Sequence, residues 1–67
     1  MNETREAIMT FFAYEHLPDN LQAISKPFGD LAEHMHATLP RSAERAAGLR
    51  KLLEAKDCAV RAALSNG

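Results

Sequence analysis

The chain has no tryptophan, a single cysteine, only three glycines and three prolines in 67 residues, and a net charge of just -1. Each shortage excludes something. Cys58 alone cannot form an intrachain disulfide and fits a reducing compartment. His34 and His36 are two apart and His16 lies in a turn, so no histidine pair has the i, i+4 spacing of a helical metal site. The few glycines build no phosphate-cradling loop, and no nucleophile–base set or pair of catalytic acids is visible. Catalysis and a cofactor are therefore not expected. A near-neutral chain has no general attraction to DNA, RNA or anionic lipid, so any binding of phosphate must be local. No run approaches the roughly 18 apolar residues of a membrane span, and Met1-Asn2-Glu3-Thr4-Arg5-Glu6 does not read as a signal peptide. The expected compartment is the cytoplasm.

What is present is an ordinary folding composition, 46% hydrophobic and 25% charged. Residues 1–67 read as one domain without repeat or linker. A chain this short lies below the size at which one core comfortably offsets chain entropy. With disulfide and metal set aside, self-association is the economical supplement.

The pattern is all-α: a short N-terminal helix followed by an antiparallel two-helix hairpin. Asn2 or Thr4 can cap the first helix, which runs through Ile8, Met9, Phe11 and Phe12, with Glu3 and Glu6 near its positive end. Leu17-Pro18 breaks it, and Asp19 or Asn20 can cap a second helix starting near position 20. The inward stripe of that helix is Leu21, Ile24, Phe28, Leu31, Ala32, Met35 and Leu39. Pro27 interrupts the pattern and predicts a kink or break at Ser25 to Pro27. Leu39-Pro40-Arg41-Ser42 is a tight connection, with Ser42 as cap of a third helix reaching about Leu64. Its stripe is Leu49, Leu52, Leu53, Val60, Ala63 and Leu64, with Lys56 falling among them. A two-helix hairpin has one seam, so the apolar surface left over calls for another copy or a fold-back of the first helix.

Three of the four aromatics, Phe11, Phe12 and Tyr14, fall within four residues. One narrow helical face cannot hold all three, and a ring left outside is a platform on which a base can stack. Lys26 points away from its helix's stripe, beside Pro27 and in an otherwise uncharged stretch, free to meet a phosphate; most surface lysines are simply solvated. Arg50, Glu54, Asp57 and Arg61 form one polar ridge, ordinarily a ladder of ion pairs. Lys56 either runs its stem past the seam or meets an acid of a neighbouring subunit. His16 is expected to order its turn, and Cys58 projects opposite the stripe with Arg61 one turn away.

Phe11-Phe12-Ala13-Tyr14-Glu15-His16-Leu17-Pro18, Ser25-Lys26-Pro27-Phe28 and the run from Leu49 to Ala62 resemble the phage anti-defence proteins that sequester cyclic oligonucleotide messengers of CBASS immunity. The likeness covers about residues 9 to 62. It implies a sponge that binds cyclic di- and trinucleotides, such as cyclic GMP-AMP and cyclic tri-AMP, at sites between subunits of a hexamer. It also implies that Lys26, in its Ser-Lys-Pro segment with Pro27, meets a ligand phosphate, and that Phe11, then Tyr14, stacks a base. Cations of the third helix, Arg50 and Arg61 among them, would form a second ligand site, with Lys56 not separable from these two. The rivals are a sponge for cyclic ADP-ribose signals of Thoeris and a helical adaptor that binds protein and no nucleotide.

Overall fold

A computed structural model describes residues 7–65, and the expected caps Asn2 and Thr4, with Glu3 and Glu6, lie outside the described residues. The chain is all-helical. A 3-10 helix, Ala7–Phe12, precedes two α-helices, α1 (Asp19–Thr38) and α2 (Ala43–Leu64), and each of the three elements contacts the other two.

The first element is not the α-helix its apolar spacing suggests, and the difference decides which aromatic enters the core. A 3-10 helix has three residues per turn, so side chains three apart eclipse. Met9 and Phe12 therefore share one edge and are buried, at 1% and 3% exposure, while Phe11 is left outside. The following turn closes through the Leu17 amide on the Tyr14 carbonyl at 3.0 Å. Gln22, not His16, ties it down: its Nε2 donates to the carbonyls of Leu17 at 2.8 Å and Glu15 at 3.2 Å, and His16 is exposed.

α1 begins without the expected side-chain cap. Pro18 occupies the N-cap position at φ -59°, ψ 157°, and its carbonyl accepts the amides of Leu21 and Gln22. Asp19 instead enters the first turn, where its charge suits the helix dipole. Pro27 does not break the helix, which runs uninterrupted from Asp19 to Thr38. Proline removes one backbone hydrogen bond, and packing along the rest of the helix holds it together. The buried side of α1 is also rotated from the expected stripe. Leu21, Ser25, Gly29 and Ala32 are buried, whereas Leu31 and Leu39 are exposed. The small residues Ser25 and Gly29 make the difference, and at Gly29 the N-terminal segment lies against the helix. A Cβ on Gly29 would stand 3.1 Å from the Phe12 carbonyl oxygen and 3.2 Å from the Tyr14 ring.

Leu39 ends α1 in an extended conformation, φ -100° and ψ 142°, as the following Pro40 demands. Ser42 caps α2, its Oγ accepting the Arg45 amide at 3.1 Å. The Arg45 side chain, buried despite its charge, reaches back to donate to the carbonyls of His36 (3.1 Å) and Leu39 (2.9 Å). One residue thus satisfies the end of one helix and the start of the next. Met9, Phe12, Ala32 and Leu49 form the core, with Ile8, Phe28, Met35, Leu52 and Leu53 packed around it. Ala63 and Leu64, expected on the α2 stripe, are exposed.

Candidate functional site

Phe11 is the most accessible aromatic, its residue surface 62% exposed. Its backbone is held from the opposite end of the sequence: Lys56 Nζ donates to the Phe11 carbonyl at 3.1 Å. Lys56 thus neither merely lies along the seam nor needs an acid from another subunit. Its side chain is only 14% exposed, and Asp57 Oδ1 stands 3.8 Å from its ammonium. Lysine here closes an orphan carbonyl of the 3-10 segment.

Tyr14 is half-buried and seated on α1 where Gly29 presents no side chain. Lys26 is exposed, as its position off the stripe implies, but its ammonium is not unengaged. It donates to Asp30 Oδ2 at 2.8 Å, across one helical turn. The hydrogen bond to Asp30 and that carboxylate's charge raise the Lys26 pKa above the ordinary lysine value, and Tyr14 acts in the same direction. Tyr14, Lys26 and Asp30 therefore belong to one neighbourhood. The expectation of an uncharged surrounding is corrected by Asp30, an i, i+4 partner visible in the sequence. Pro27 is exposed beside them, within the continuous helix rather than at a break.

The α2 candidates do not line the groove beside Tyr14 and Asp30. Arg50 and Arg61 are exposed. The ridge they share with Glu54 and Asp57 does not form the simple ladder expected of it, because Asp57 turns towards Lys56 and Arg61 Nη2 reaches Cys58 Sγ at 3.5 Å. Among the described residues no group of three or more His, Cys, Asp or Glu side chains could hold a metal ion. No helix among them is long and apolar enough to cross a membrane.

A groove of about 310 Å³ opens along the Tyr14–Gly29 contact, and its polar lining includes Glu15, Asp30 and Glu33. The charged side chains that line it are all carboxylates and no cation among the described residues lines it, so this groove is not by itself an anion pocket. Tyr14 is the one candidate that lines it; Phe11, Lys26, Pro27, Arg50 and Arg61 do not. The described surface of one chain thus carries an exposed aromatic ring, a cation and a seated tyrosine without enclosing a site around them. Comparison with family models, curated proteins and solved structures finds no match to this chain.

Proposed function

We propose that the protein is a phage immune-evasion sponge that binds cyclic di- and trinucleotide messengers without cleaving them and so blocks activation of CBASS effectors. The observation that carries the reading is the Phe11 ring, 62% exposed, on a backbone fixed by Lys56. An aromatic whose backbone is tied down and whose ring is left in water is suited to stack a purine, and stacking tolerates different bases. Lys26 beside Tyr14 adds a cation for the phosphate.

The site is completed by further copies of the chain. α1 and α2, joined by a four-residue connection, form an antiparallel hairpin in this reading. The molecule measures 38 × 23 × 16 Å. Stable domains bury their large apolar side chains between packed elements, and on one chain Leu31 and Leu64 are left exposed, surface that a further copy could cover. The proposed assembly is a hexamer in the bacterial cytoplasm, its two-fold axes matching cyclic dinucleotides and its three-fold axis cyclic trinucleotides. Arg50 and Arg61 would serve the second class of site.

The carboxylate-lined groove favours a second reading, a helical adaptor whose partner is a protein with a basic segment. Native mass spectrometry with cyclic GMP-AMP, cyclic tri-AMP and a cyclic ADP-ribose separates the possibilities, because it reports assembly and bound ligand together. The expected spectrum is a hexamer carrying cyclic oligonucleotide, and heating the complex should release that ligand intact. A folded monomer that binds none of the panel would leave the adaptor reading standing. Binding of the cyclic ADP-ribose alone would move the proposal to Thoeris.

A further inference from the structure

Because α1 continues through Pro27, Asp30 stands one turn beyond Lys26 on an unbroken helix. The two side chains meet at 2.8 Å, and each is 58% exposed. Both are thus open to solvent and to any incoming anion, yet they already satisfy one another. A phosphate that approaches Lys26 meets the Asp30 carboxylate at hydrogen-bonding distance from the same ammonium. An ammonium has three donors, so a phosphate can share it geometrically, but two anions on one cation repel each other. Asp30 also lines the groove beside Tyr14, so a base on that side brings its phosphate near this carboxylate.

We infer that Asp30 is an internal competitor that occupies Lys26 in the free protein and so sets the affinity of that ammonium for a ligand phosphate. The inference rests on the proposed role of Lys26 in messenger binding. A ligand with one phosphate offers a single exchange of anions, in which little is gained. A cyclic oligonucleotide brings stacking rings and further phosphates held in fixed geometry, so the exchange is carried by contacts elsewhere. The pair therefore lowers affinity for every anion that uses Lys26, and a multivalent ligand binds because its other contacts outweigh that loss. Exposed ion pairs are weak, which bounds the effect: relief of the competition should tighten binding by up to about fivefold.

The test is calorimetric titration of cyclic GMP-AMP and of AMP into wild type, Asp30→Asn, Lys26→Ala and the double variant at one ionic strength, with assembly verified for each. The expected result is two- to fivefold tighter binding by Asp30→Asn, for AMP as for the cyclic ligand, and no such gain when Lys26 is already alanine. Binding by Asp30→Asn equal to or weaker than wild type overturns the inference, and weaker binding would make Asp30 a support for Lys26. An equal gain with and without Lys26 overturns it too, because that is the field of a carboxylate and not competition for one cation. If Lys26→Ala binds too weakly to titrate, Glu15→Gln removes a carboxylate charge from the same groove, and a gain matching that of Asp30→Asn is again refutation. A wild type that binds no cyclic GMP-AMP defeats the sponge reading itself, a result distinct from any difference among variants.

Discussion

Phe11 and Phe12 are adjacent and chemically identical, yet replacing each by alanine should have opposite consequences. Phe12 is 3% exposed in a core of four buried side chains. Truncating such a phenylalanine costs about 3–5 kcal/mol. A chain of this length has only about 3–10 kcal/mol of total stability at ordinary values per residue, so Phe12→Ala should leave a large fraction unfolded. Phe11, 62% exposed, keeps little more than a third of its surface from water. Complete burial of phenylalanine is worth about 1.5–3 kcal/mol, so its removal should cost about 1 kcal/mol or less. The Lys56 hydrogen bond goes to the backbone carbonyl of Phe11 and survives the change. Binding should reverse the order. A lost stacking contact of about 1–3 kcal/mol weakens a cyclic dinucleotide by about five- to 150-fold. Urea denaturation at one fixed protomer concentration measures the first effect, since association would shift the midpoint with concentration. Calorimetric titration measures the second. Equal destabilisation by the two substitutions would refute the assignment of Phe12 to the core, and wild-type affinity in a folded Phe11→Ala protein would refute the platform.

Lys26→Ala should weaken cyclic dinucleotide binding about tenfold or more with fold and assembly unchanged, because the side chain leaves no core cavity and removes a charge-assisted phosphate contact; calorimetry alongside native mass spectrometry tests both halves. Arg45→Met keeps the buried stem but strands the His36 and Leu39 carbonyls, and a loss of about 2–4 kcal/mol is expected in urea denaturation. Gly29→Ala should not yield the usual helix gain of about 1 kcal/mol, since the added Cβ meets a carbonyl oxygen and a ring. A net loss of about 1 kcal/mol is expected, with a changed tyrosine fluorescence that reports on Tyr14 alone because the chain has no other tyrosine and no tryptophan.

The division into three helices was legible because its signals are local: Pro18, Pro40 and Ser42 each act within a few residues. Lys56 could likewise be placed on the apolar face of α2 by counting, although its partner could not, since the Phe11 carbonyl lies 45 positions away. The turned face of α1 was hidden for a different reason. Hydrophobic periodicity weighs large apolar side chains, whereas Ser25 and Gly29 are buried and small, Gly29 lying where a ring and a backbone come close. Arg45 escaped notice because charge signals solvent, and its partners are main-chain carbonyls with no side-chain signature. Pro27 misled in the opposite direction, as a local propensity outweighed by tertiary packing. Asp30 was readable at its i, i+4 spacing from Lys26, and its meaning for a phosphate emerges only once the helix is seen to continue.

The period-three segment at the N-terminus poses a problem of register. Two like rings stand side by side, so a slip by one residue would still deliver a phenylalanine to the core, and the hydrophobic interior alone cannot tell the correct threading from its neighbour. What distinguishes them lies outside the core: Tyr14 fits against a bare Gly29. That contact acts as an alignment mark for a sequence that is locally ambiguous. A substitution at Gly29 therefore does more than crowd a ring. By erasing that mark it brings two threadings closer in energy, and the lone tyrosine would then occupy two environments in one preparation.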